Sequence, residues 1–167
     1  MQYVSWNCRG LGNTIKEEAI RDLVRVMKPE VLLIQETKME EEALLQVSNT
    51  FWKKGPGRAV SARGASGGLA TFWDSAKLDL VEEGITTHWL FTKMLHKESG
   101  HLVSIFNLYV PVSYTEKKES WDSLKLFLNQ HNPENLVVAG DLNVTLALAE
   151  KKGDQLSGIL QESGWKT

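Results

Sequence analysis

Val31-Leu32-Leu33-Ile34-Gln35-Glu36 is a continuous apolar run that closes on two polar side chains. A run without alternation suits a strand covered on both faces, since a strand with one wet face would alternate. Upstream, Gln2–Asn7 predicts another buried strand, stopped by the turn Arg9-Gly10-Leu11-Gly12. Between the two, Ile20, Leu23, Val24 and Met27 share one helical face until Pro29 ends it, and Thr14 with Glu17 predicts a capping box at its start. Downstream, Thr37 with Glu40 predicts a second box, opening a helix that buries Ala43, Leu44 and Val47. From Phe51 to about Leu108 the pattern turns to β, with strands expected at Ala59–Arg63, Leu69–Trp73, Leu78–Glu83, His88–His96 and Leu102–Leu108.

Ser113 and Glu116 form a third capping-box pattern, ahead of a helix with Trp121, Leu124 and Leu128 inward and Pro133 beyond its end. Leu136–Ala139 is again strand-like and leads into Gly140-Asp141-Leu142-Asn143, and Asp154–Ser163 is amphipathic. Helices at both ends with a meander between them predict an α/β sandwich: mixed, mostly antiparallel sheets flanked by helices. No linker, repeat or low-complexity stretch divides the 167 residues, which read as a single domain.

Composition narrows the chemistry. With 19 Lys and Arg against 21 Asp and Glu, the formal charge is −2, so phosphate chemistry must come from a local site rather than from a blanket field. No apolar run reaches the roughly 18 residues a membrane span needs, no signal-peptide pattern opens the chain, and no membrane partner is expected. One cysteine, Cys8, excludes an intrachain disulfide and an all-thiolate zinc site and suits a reducing compartment. No histidine stands near Cys8 in the sequence to activate it as a nucleophile.

Three buried-looking strands end in polar side chains: Asn7, then Gln35 and Glu36, then Asp141 and Asn143. A fourth ends at Tyr109, just before Pro111. Strand ends in α/β sheets are where ligand sites are built. Carboxylates and amides gathered there make an oxygen-rich site suited to Mg²⁺, a hard cation that keeps some of its waters. Each residue has a plain reading too: Asn7 as a turn cap, Asn143 in an Asx-turn, Tyr109 as a strand aromatic reaching solvent.

Ser5-Trp6-Asn7-Cys8-Arg9-Gly10-Leu11-Gly12, Gln35-Glu36-Thr37-Lys38, Ser66-Gly67-Gly68-Leu69-Ala70, Asn107-Leu108-Tyr109-Val110-Pro111 and Gly140-Asp141-Leu142-Asn143 occur in that order. Taken together they resemble the endonuclease/exonuclease/phosphatase superfamily, and their wording is most similar to the endonuclease domain of plant LINE-type (non-LTR) retrotransposons. The resemblance implies a four-layer α/β sandwich that cleaves phosphodiester bonds of DNA with Mg²⁺, for which Mn²⁺ would substitute. It implies Glu36 as principal metal ligand with Asn7 beside it, Tyr109 donating to the scissile phosphate, Asp141 orienting or deprotonating water, and Asn143 holding a phosphate oxygen. Lys38 follows Glu36 closely enough for a phosphate contact, although a solvated lysine is the plainer reading.

Lys53, Lys54, Arg58 and Arg63 surround a Gly-Pro-Gly turn beside Phe51 and Trp52 and could follow a DNA backbone, or be a solvated basic loop. The family pattern continues past Gly-Asp-Leu-Asn with an Asp-containing segment and a terminal Ser-Asp-His, whereas this sequence stops at Thr167. None of His88, His96, His101 or His131 follows an Asp. The expectation is therefore a C-terminally incomplete domain, inactive or impaired alone, with exposed edges that favour self-association or a completing partner. A nuclear DNA target follows from the resemblance, with the cytoplasm as the other location. Two further readings are a phosphatase or phosphodiesterase of the same superfamily acting on another ester, and a non-catalytic remnant serving as a binding or assembly module.

Overall fold

Successive side chains of a strand point to opposite faces, and that alternation decides how this chain stacks. The computed structural model describes residues 1–64 and 66–144. The amphipathic stretch expected at Asp154–Ser163 lies outside the described residues. In chain order the elements are β1 (Tyr3–Asn7), α1 (Thr14–Met27), β2 (Val31–Gln35), α2 (Glu41–Ser48), β3 (Gly57–Arg63), β4 (Ser66–Trp73), β5 (Leu78–Ile85), β6 (Trp89–His96), β7 (Leu102–Tyr109), α3 (Tyr114–His131) and β8 (Leu136–Asp141).

Two four-stranded sheets result, one ordered β1-β2-β4-β3 and the other β5-β6-β7-β8. Each holds a single parallel pair among antiparallel neighbours: β1 with β2, Asn7 opposite Gln35, and β7 with β8, Tyr109 opposite Asp141. Every residue of β2 is buried, as its unbroken apolar run requires. Its even positions, Leu32 and Ile34, pack with Ile20 of α1, Leu44 of α2 and Phe72. Its odd positions, Val31 and Leu33, pack with Leu78, Met94 and Ile105 of the other sheet. On the far side Phe91, Phe106 and Leu108 meet Leu124, Trp121 and Phe127 of α3. The layers are thus helix, sheet, sheet, helix. This is the α/β sandwich that the sequence predicts.

The helix starts differ from their expected boxes. Asn13, not Thr14, caps α1, its side chain accepting from the Lys16 N–H at 3.0 Å. Thr37 opens no helix. It is fully buried just past the end of β2, its N–H donating to the Gly68 carbonyl, and α2 starts at Glu41 behind Glu40, which makes no side-chain capping bond. Ser113 does precede α3, but without a capping bond. On α2, Ala43 faces solvent and Leu45 packs into the core instead.

Candidate functional site

The odd rows of three strands run into one place. Tyr3, Ser5 and Asn7 on β1, Val103, Ile105, Asn107 and Tyr109 on β7, and Val137, Ala139 and Asp141 on β8 alternate with outward-facing neighbours, and Tyr3, Val103, Ile105, Val137 and Ala139 pack in the layer between the sheets. Where the apolar part of that layer stops, the polar ends meet. Asn7 Nδ2 donates to Asp141 Oδ2 across the two sheets at 2.5 Å, 134 residues apart in the chain. Asp141 Oδ1 accepts from the Asn143 N–H at 2.9 Å, an Asx-turn made by Asp141 itself. Asn143 in turn donates through Nδ2 to Val110 O at 2.7 Å, and Lys117 Nζ holds its carbonyl at 2.7 Å.

Glu36 has even parity and would point to the helix side if β2 continued straight. It does not, because its φ is +53°, in the left-handed region. For a non-glycine residue that conformation costs of order 1–3 kcal/mol and persists only where the surroundings enforce it. Here they do. Gly10 and Leu11 donate to the Glu36 and Thr37 carbonyls at 2.6 and 2.9 Å, while Thr37 and Lys38 donate to Gly68 and Gly67 at 3.2 and 3.1 Å. The close approach explains the paired glycines: Gly68 has φ +87° and a Cβ there would collide with Thr37 Oγ1, and Gly67 faces the Tyr109 ring.

The re-aimed Glu36 reaches Tyr109. Burial, then a hydrogen bond with Glu36 and its charge, then the charge of Asp141 push the Tyr109 hydroxyl up to about 12, against a hydrogen bond with Asn143. Tyr109 therefore remains a neutral donor throughout the physiological range. Cys8, behind the Glu36 backbone, directs its thiol at the Gln35 and Glu36 carbonyls at 3.3 and 3.4 Å. Burial, the largest influence, pushes that thiol up. It is no nucleophile.

All side-chain donors here are carboxylate, amide or phenol groups. Among the described residues no three His, Cys, Asp or Glu side chains converge as a metal-holding group. Glu36 and Asp141 both lie within electrostatic reach of Tyr109. That all-oxygen set fits a hard divalent cation that retains several waters, and it does not fit a soft metal.

Beside Tyr109 opens a cleft of about 260 Å³, with Ser61, Arg63, His88, Ser113 and Glu116 on its walls. Burial holds the His88 imidazole below its usual range; Glu116 opposes this and Arg63 adds to it. The sequence gives no sign that His88 stands so near Tyr109. Of the four basic residues expected around the Gly-Pro-Gly turn, Arg63 alone comes here. It pairs with Ser66 at the site end of the β3–β4 hairpin. Lys53 is exposed. Lys54 Nζ is bound to Pro29 O at 2.7 Å, and Arg58 is paired with Glu83 at 2.5 Å. Gly57 pairs with Phe72 at the other end of β3, so Arg58 sits about 15 to 20 Å away along a strand rising ~3.3 Å per residue. Lys38 is exposed, with its alkyl chain beside Gly10.

Beneath the site lie two buried residues with no role assigned from the sequence. Gln35, 1% exposed, and Asn107, 0% exposed, meet between the sheets. Their positions in the odd rows, directly before Glu36 and two residues before Tyr109, were the available signal.

Residues 4–162 match the model of the Endonuclease/Exonuclease/phosphatase family. Among solved structures the chain is similar to a humanised TDP2 of D. rerio, 19% identical, with 87% of this chain on 67% of that one and a TM-score of 0.66. It is similar to the mannosyl-6-phosphatase of Bacteroides thetaiotaomicron, 16% identical, 86% on 66%, TM-score 0.68. A third is the 3' phosphatase NExo from Neisseria bound to product DNA hairpin, 20% identical, 89% on 60%, TM-score 0.63. At such identities the likeness establishes the fold. The chain spans about two thirds or less of the length of these structures. No curated protein matches the sequence.

Proposed function

The chain belongs to the Endonuclease/Exonuclease/phosphatase family, and from that premise we propose that it hydrolyses DNA phosphodiester bonds with Mg²⁺, as the nicking endonuclease domain of a LINE-type retrotransposon acting in the nucleus. The observation that carries this reading is the convergence of Asn7, Glu36, Tyr109, Asp141 and Asn143 from both sheets onto one strand-end site. The wording of Ser5–Gly12 and of Ser66–Ala70 supports the retrotransposon assignment.

The residues divide the chemistry as follows. Glu36 and Asn7 would hold the cation, whose contribution when bound is to polarise a phosphoryl oxygen and ease departure of the leaving oxygen. Tyr109, neutral at working pH, donates its O–H to a nonbridging phosphate oxygen. Asp141 has both carboxylate oxygens fixed by Asn7 and Asn143, and a carboxylate still offers lone pairs to a water that it orients and whose proton it accepts. Asn143 is held by Val110 and Lys117 close to the same phosphate. Arg63, in the adjacent cleft, contacts a flanking phosphate of the strand.

Supercoiled plasmid incubated with the chain and Mg²⁺ tests the reading: conversion to the nicked circle, even at the impaired rate expected from the sequence, supports it when a chelator stops it. Hydrolysis of a small phosphomonoester under the same conditions, with intact plasmid, would instead place the chain among the phosphatases of the family.

A further inference from the structure

The layer between the sheets is apolar from Val31 and Ile105 up to Leu33, and then changes character one step below the site. There Gln35 Nε2 donates to Asn107 Oδ1 at 2.6 Å and to Ser5 Oγ at 3.0 Å. Asn107 Nδ2 returns across the layer to Ala70 O at 2.8 Å and lies 3.3 Å from Ile34 O. One amide thus belongs to β7 of the second sheet while each of its partners belongs to the first. A buried polar group without a partner is expensive, and a buried amide pair between apolar surfaces therefore fixes one distance and one orientation. The pair stands at the last rung before the functional groups on both sides: Gln35 is followed by Glu36 in its left-handed turn, and Asn107 precedes Tyr109 on the same face of β7. Apolar side chains would fill this space but would let the sheets slide and spread against each other.

We propose that Gln35 and Asn107 are positioning residues, a strut across the sandwich that sets the separation of the Glu36 carboxylate on one sheet from the Tyr109 hydroxyl on the other. This inference rests on the nuclease reading for its catalytic consequence, though not for its geometric one. Cutting the strut leaves every group of the site in place and changes how far apart they stand, and an error of about 1 Å in such a site can cost on the order of 100-fold in rate.

The test compares three forms of the chain. Gln35→Met with Asn107→Leu removes both amides at once, so neither amide is stranded, while Ser5 Oγ and the Ala70 carbonyl each lose a donor. Gln35→Asn with Asn107→Gln exchanges the two amides and keeps the summed length across the layer. Plasmid nicking, thermal melting and the crystallographic Cα separation of Glu36 and Tyr109 are measured for each. The apolar pair is expected to melt within a few degrees of wild type, to lose on the order of 100-fold in kcat with KM little changed, and to show a changed separation. The exchanged pair is expected to recover most of the rate. An apolar pair with wild-type kcat and wild-type separation overturns the proposal. If the apolar pair does not fold, the exchanged pair decides: a folded exchange variant as slow as a single Gln35→Asn variant overturns it. Should wild type fail to nick plasmid at all, the nuclease reading falls, and the crystallographic separation still decides the strut.

Discussion

Strand β2 carries a glutamate at each end, and the fold treats them in opposite ways. Glu30, just before it, is paired with a cation: Lys77 Nζ lies 2.8 Å from Oε1, and the His96 imidazole lies 3.8 Å from Oε2. Burial opposes its ionisation, but the Lys77 hydrogen bond and charge, with the N-terminus and His96, outweigh that and hold the carboxyl below its usual range. Glu36, just after β2, makes no ion pair among the described residues. It reaches the Tyr109 phenol, which also feels the Asp141 carboxylate, and its backbone is held in a conformation that favours glycine. A fold that neutralises one acidic residue and strains another of the same type, six residues apart, shows where negative charge is kept available. Glu30 is paired at one end of the sandwich, whereas Glu36 at the other end makes no ion pair among the described residues.

The sharpest way to break this contrast is to remove each glutamate in turn. Glu36→Ala is expected to lower the nicking rate by about 10²–10³-fold or more with little change in melting temperature. Glu30→Ala is expected to leave the rate unchanged and to lower stability. The sign with pH is fixed by the lowered carboxyl of Glu30. Its stabilising contribution is complete above the ordinary carboxylate value and is lost as pH falls through its lower folded value. Glu30→Gln should therefore bring the stability of the variant and of wild type together in acid. Melting curves against pH check this, and equal rate losses for the two alanine variants would end the comparison.

Tyr109→Phe is the next step down, with an expected loss of about 100-fold in kcat, since one preorganised donor is removed. The hydroxyl is raised from an ordinary value of 10.0 to about 12, so nicking should not fall as pH passes 10. Stability runs the other way: the unfolded tyrosine ionises first, and the contribution of the neutral folded form is lost between 10 and 12. A pH–rate profile and an alkaline melting series separate the two effects.

The basic residues give the smallest effect and the cleanest geometric contrast. Arg63→Ala should weaken DNA binding several-fold and reduce the slope of log K against log salt by about 1. Arg58→Ala should leave that slope alone and cost about 0–1 kcal/mol, as an exposed pair with Glu83 is lost. Titrations at several salt concentrations decide between them.

Much of this contrast is written in the sequence, but unevenly. The unbroken run of β2, and the polar ends at Asn7, Tyr109 and Asp141, follow from periodicity, since parity alone sends those three to the same face as Val31 and Ile105. The left-handed turn at Glu36 does not follow from it. That turn depends on Gly67 and Gly68, some thirty residues away, whose carbonyls take the Thr37 and Lys38 N–H groups. The same clamp explains why Thr37, which fits a capping pattern, is buried past the end of β2 instead. Nor can spacing show that Glu30 meets Lys77, 47 residues on, or that Arg63 leaves its basic neighbours. Those outcomes are set by how hairpins lie against one another. The pairing of Gln35 with Asn107 belongs to the same class, with each amide ordinary in its own strand and its meaning apparent only across the layer.

Parity has a consequence for length variation. Asn7, Tyr109 and Asp141 point inward only because each lies an even number of residues from the apolar anchors of its own strand. One residue inserted inside β7 ahead of Asn107 would turn Tyr109 toward α3 and bring Leu108 into its place beside Glu36, exchanging a phenol for an aliphatic chain without removing a single site residue. Two inserted residues would return the phenol to the inner face, one rung further along the strand. In this architecture, insertions and deletions in the strands are tolerated as even numbers and punished as odd ones, while the loops keep no such count.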